Sequence, residues 1–122
     1  MKMLKHAIDK LLKEQNPTAL ADNPLVKATR EKYATDDGLK DAPFLECQVV
    51  LKGGHAMAGV LTAWPKGPLM MVSLAQTPDK RVMIVESYFG DDELQCISMG
   101  RAMPEQLVKP IRNGNSPLIV GH

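Results

Sequence analysis

At 122 residues, with 44% hydrophobic and 24% charged residues, the chain is sized for one domain with a modest core. Its formal net charge of +1 comes without the basic stripe that avid duplex binding requires, and no apolar run approaches the roughly 18 residues of a membrane span. Aromatics make up 4% of the chain while Met occurs 8 times, so the expected core is aliphatic, filled by Val, Leu, Ile and flexible thioethers.

The first stretch, from Lys2 to Gln15, places Leu4, Ala7, Ile8, Leu11 and Leu12 at helical spacing on one face. Lys2, Lys5, Lys10 and Lys13 lie mostly off that face, as on a solvated helix opposite a core-facing stripe. Asp9, Lys10 and Lys13 interrupt any apolar run of signal-peptide type, which makes the cytoplasm the expected address. Asn16-Pro17 stops the helix, because the proline ring drives the preceding residue out of the α region. Asp22-Asn23-Pro24 then starts a second helix, with Asn23 as cap and Pro24 in the first turn. Leu25, Val26, Thr29 and Tyr33 give it a weak stripe up to about Ala34, and Asp36-Asp37-Gly38 closes it, Gly38 serving as the left-handed cap.

From Glu46 the hydrophobic period falls to two. Cys47, Val49 and Leu51 alternate with Glu46, Gln48 and Lys52, and Gly53-Gly54 is a hairpin turn of the primed kind. The second strand runs from His55 to Ala63 with Met57, Gly59 and Leu61 on one face. Gly59, lacking a side chain, marks a sharp bend or a close approach of backbone. After the stiff loop Trp64-Pro65-Lys66-Gly67-Pro68 come three more strands. They are Leu69 to Gln76, apolar enough to be covered on both faces, Arg81 to Phe89, and Glu93 to Met99. Thr77-Pro78-Asp79-Lys80 and Gly90-Asp91-Asp92 are the turns between them. The tail holds a short helix from Pro104 to about Lys109 and an apolar patch, Leu118-Ile119-Val120.

The expected fold is α+β: an N-terminal helical segment over 1–44, a five-stranded antiparallel SH3-like small β-barrel over 45–99, and a C-terminal extension over 100–122. These form one compact domain, its barrel closed or partly open. Closure would remove the exposed edges that a small flat sheet presents.

Leu51-Lys52-x-Gly54-His55-x-x-x-Gly59-x-Leu61 resembles the first signature of the Sm and Sm-like proteins, with His55 where a basic residue commonly follows the turn glycine. The resemblance spans roughly Glu46 to Met99 and implies a barrel that assembles into rings through its outer strands and binds single-stranded RNA. It implies pairing of the first and last strands, and with it buried, neighbouring thiols at Cys47 and Cys96. The aspartate and asparagine that hold a base in that family have no counterpart in the loop starting at Trp64, and Phe89 precedes Gly90 where the second signature has arginine.

The expected RNA or partner contacts are Lys52, His55, Trp64, Lys66, Phe89 and Gly90. Val82, Met83, Ile84 and Val85 form the expected homo-oligomer interface. A stacking platform requires Trp64 and Phe89 exposed on one rim beside Lys52 and Lys66. A second function class stays open: an SH3-like protein-interaction or structural module that binds a protein partner and no nucleic acid. His6, His55 and His122 stand apart from any carboxylate or cysteine at ligand spacing, and neither cysteine has a nearby histidine. No catalytic residue, metal or cofactor is therefore expected, and no membrane association.

Overall fold

A computed structural model describes residues 2–16, 20–36, 39, 42–64, 67–76, 78–79, 81–100 and 118–121. Helices α1 (Lys2–Glu14) and α2 (Pro24–Lys32) precede strands β1 (Leu45–Leu51), β2 (Ala56–Ala63), β3 (Leu69–Gln76) and β4 (Val82–Phe89). A 3-10 turn over Asp91–Glu93 leads into β5 (Leu94–Met99), and β6 (Leu118–Gly121) ends the described chain. The expected caps at Pro17 and Gly38 and the tail helix over 104–109 lie outside the described residues, as do Lys66 and both ends of the turn at Pro78.

Local chemistry explains the starts of these elements. Asn23 accepts hydrogen bonds on Oδ1 from the backbone N–H groups of Leu25 (2.9 Å) and Val26 (3.4 Å), two donors left orphaned by the first turn of α2. Between β1 and β2, Gly53 and Gly54 have φ of 99° and 92°, a region closed to most side chains. The N–H of Leu51 donates to the His55 carbonyl at 2.8 Å across that turn.

The sheet order is β5-β1-β2-β3-β4-β6. The first five strands pair antiparallel, and β6 joins β4 in parallel, from Met83 opposite Leu118 to Glu86 opposite Gly121. The sixth strand departs from the five expected: the apolar patch at the C-terminal end is a strand. The pairing of β1 with β5 agrees with expectation, but among the described residues no ladder joins β5 to β4 or β6, so the sheet is open.

An open ladder is not a flat one. Phe89 sits at the Ala63 end of β2, and Leu94 sits opposite Leu51 at the hairpin end of the other edge. On a flat sheet these corners would stand roughly 32 Å apart, from strand spacing and rise. The chain from Phe89 to Leu94 spans at most about 19 Å. The sheet therefore curls, and Phe89 and Leu94 share one core cluster. Gly59 takes part in this shape. A Cβ there would lie 2.0 Å from the Val72 carbonyl oxygen on the adjacent strand, which is the close backbone approach, one of the two uses expected of it.

Each face of the sheet has its own core. On one, Leu45, Cys47, Val49, Met57, Leu61, Leu69, Met71, Phe89 and Leu94 pack with Ile8 and Leu12 of α1. On the other, Val60, Met70, Val72 and Ile84 pack with Leu25 and Val26 of α2 and with Leu39, Ala42 and Phe44. Residues 69–72 of β3 are all buried because a helix lies over each side.

The register corrects the expectation for the cysteines. Cys47 pairs with Met99, and Cys96 pairs with Val50, so the two thiols point to opposite faces. Cys47 is buried, Cys96 is exposed, and both are free. A bulge follows at once: Leu51 pairs with Leu94, leaving Gln95 unpaired. The extra residue returns Leu94 to the α1 core.

Candidate functional site

Among the expected contact residues, Lys52 and His55 are exposed on the β1–β2 hairpin. The Lys52 N–H donates to the Glu93 carbonyl (2.8 Å), and the Glu93 carboxylate accepts from the Gly90 N–H (2.7 Å). Lys52, His55 and Gly90 are thus gathered at one corner. Trp64 is not, and Phe89, though next to Gly90, is buried. Phe89 is 3% exposed in the α1-side cluster, whereas Trp64 packs against the α2-side cluster. The shared rim that a stacking platform needs is absent for this pair. Ile84 and Val85 are buried in β4, Val82 and Met83 are half-buried, and β6 lies along the edge expected to meet another subunit.

The polar chemistry of the fold gathers elsewhere, on the α2 side. Glu86, in the middle of β4, is 2% exposed. Its Oε1 meets the Lys32 ammonium at 2.6 Å, and its Oε2 accepts from the Tyr33 hydroxyl at 2.8 Å. A carboxylate only accepts, so Tyr33 donates to Glu86, and the Tyr88 hydroxyl 3.2 Å away donates to Tyr33. Trp64 meets the Tyr33 ring edge to face, centroids 5.3 Å apart, and the Lys32 ammonium lies 5.2 Å from that ring's centroid. The Trp64 indole N–H is buried with no hydrogen-bond partner among the described residues.

Burial, first of all, raises the pKa of Tyr33 above its usual 10.0, and the adjoining Glu86 adds to the rise. Burial likewise raises Tyr88, reinforced by its bond to Tyr33. Both phenols therefore stay protonated at neutral pH and act as donors rather than bases. The arrangement is fitted to hold positive charge.

Sequence reasoning missed this cluster. Its available signal was Glu86 itself: Val82, Ile84, Glu86 and Tyr88 share one face of β4, and a glutamate beside Ile84 there breaks the apolar pattern.

Among the described residues no group of three or more His, Cys, Asp or Glu side chains is placed to hold a metal, and no helix is long and apolar enough to cross a membrane. Compared with family models, with curated proteins and with solved structures, the chain finds no match in any of the three.

Proposed function

We propose that the chain is a non-catalytic assembly module built on an SH3-like curled sheet, and that it binds an extended strand of another polypeptide along β5. One observation carries this reading: among the described residues nothing pairs with the outer edge of β5. The Gly100 N–H donates to the Glu46 carbonyl at 3.0 Å. By the alternation of antiparallel ladders, Ser98 and Cys96 turn their backbone groups toward β1, and Ile97 and Met99 turn theirs outward. Gln95, Cys96, Ser98 and Met99 are exposed along this edge, Met99 by 50%. Unpaired N–H and C=O groups in a row form a template for strand addition. The pairing of β1 with β5 and the curl forced by the 3-10 connection support the small-barrel identity behind the Sm resemblance. A second copy of the chain is the first partner to test.

Met99→Pro removes an outward N–H and leaves the ladder to β1 intact. Light scattering on the native chain is expected to give a multiple of 13.4 kDa, and on Met99→Pro the monomer mass with an unchanged circular dichroism spectrum. A native chain that stays monomeric at high concentration overturns self-association, and the edge then serves a different protein.

Exposed Lys52 and His55 on one hairpin favour a second reading, Sm-type binding of single-stranded RNA in the cytoplasm. Filter binding with U-rich and A-rich RNA tests it, and no retention even at low salt removes it.

A further inference from the structure

We propose that Glu86 and Tyr33 form a receptor for an alkylammonium group, and that Lys32 occupies this receptor from within the chain. Taking a carboxylate out of water is costly, and the neighbour of Glu86 on the same face of β4, Ile84, is apolar. What the glutamate provides is a fixed negative charge at the hydroxyl end of an aromatic ring. Tyr33 contributes twice: its hydroxyl holds one carboxylate oxygen at 2.8 Å, and its ring receives the ammonium at 5.2 Å.

The receptor is held together without the lysine. Tyr88 supports the Tyr33 hydroxyl and Trp64 braces the edge of its ring, so removing Lys32 leaves the carboxylate and the phenol in place. The occupant, by contrast, comes from the last residue of α2, and its side chain is 38% exposed where that of Glu86 is 3%. Lys32 reaches the site from solvent and leaves it by a rotation of its own side chain, with no core residue moving. A preorganised receptor whose tethered cation remains in reach of solvent suits exchange with an external one. The ligand class is a primary alkylammonium, either a free amine or the lysine of a partner.

The single tryptophan lies against the receptor ring and reports on the site. In Lys32→Ala, n-butylammonium chloride is expected to change Trp64 fluorescence saturably. At about five times its dissociation constant it is expected to raise the melting temperature by about 4 °C over equal sodium chloride. The same salt should do neither in Lys32→Ala/Glu86→Gln. A parallel titration with an acetylated, amidated lysine tripeptide separates the sources: tighter binding than butylammonium assigns a partner's lysine, and weaker binding assigns a free amine. No saturable response to either probe in Lys32→Ala, or an equal response in the double variant, overturns the proposal. Should Lys32→Ala fail to fold, the native chain titrated with the same probes decides the matter: saturable fluorescence lost in Glu86→Gln supports the site, and its absence sinks it. Met99→Pro added to Lys32→Ala should leave amine binding unchanged, so failure of the edge-strand reading leaves this one standing.

Discussion

The two faces of the sheet use burial differently. Beneath α1 the packed residues are aliphatic, thioether, thiol and aromatic, with no charged group in the cluster. Beneath α2 an apolar patch around Val60, Met70, Val72 and Ile84 adjoins a carboxylate, an ammonium and two phenols. A face whose only task is cohesion has no use for such a group, because desolvating a charge costs more than apolar packing at the same place. The contrast sets a purely apolar core on the α1 side against a buried charge on the α2 side, where the proposed ammonium receptor lies.

The largest effect should come from the strand pair that both faces share. In Gly59→Ala the new Cβ meets a main-chain oxygen, which cannot yield without loosening the β2–β3 ladder. A loss of about 3 kcal/mol is expected, read as a fall in the urea midpoint at unchanged slope. Next come paired substitutions, one on each face. Leu61→Ala, fully buried on the α1 side, should cost about 2.5 kcal/mol through lost transfer energy and the cavity left behind. Glu86→Leu removes a charge instead, and should stay within about 1 kcal/mol of the native chain or stabilise it. Equal costs would break the contrast. Lys32→Met should cost about 1–2 kcal/mol, since it strands the carboxylate with only Tyr33, and the exposure of the lysine limits what its own contact contributes. Glu86→Gln should cost less than Lys32→Met, because the freed ammonium rehydrates where it stands.

The sequence made plain whatever was encoded within a few residues: the Asn23-Pro24 start of α2, the two-glycine hairpin, the strand bounds of β3, and Gly59 as a point of close approach. Register was harder. Cys47 and Cys96 lie on strands correctly expected to pair, yet whether two residues share a face depends on odd or even offset and on the bulge at Gln95, neither of which leaves a local mark. Other contacts across long stretches of chain were hidden. Nothing near Leu118 announces a parallel partner in β4, and nothing near Lys32 announces a carboxylate 54 residues away. The candidate site was illegible for the same reason, being made of contacts between elements rather than of a motif.

The smallest effect at neutral pH is nil by design and grows only in alkali. Cys47, sealed in the α1-side core, has its pKa pushed by burial from 9.0 up to about 12, with Glu46 adding to the rise. Below pH 9 the thiol is protonated whether the chain is folded or not, and contributes nothing to the balance. Above pH 9 the unfolded chain releases this proton and the folded chain keeps it, so stability falls as pH rises. The slope approaches about 1.4 kcal/mol per pH unit and flattens near 12. Tyr33 and Tyr88, also raised, act in the same direction from about pH 10 upward, so the thiol must be isolated by subtraction. Urea melts of the native chain and of Cys47→Ala, taken between pH 8 and 10, should differ by a constant at the lower end and converge toward the upper. In the folded native chain a thiol reagent should accordingly titrate Cys96 at once and reach Cys47 only as fast as the chain opens. Two equally fast thiols would mean that the α1-side core admits water, and the contrast between the faces would fail with it.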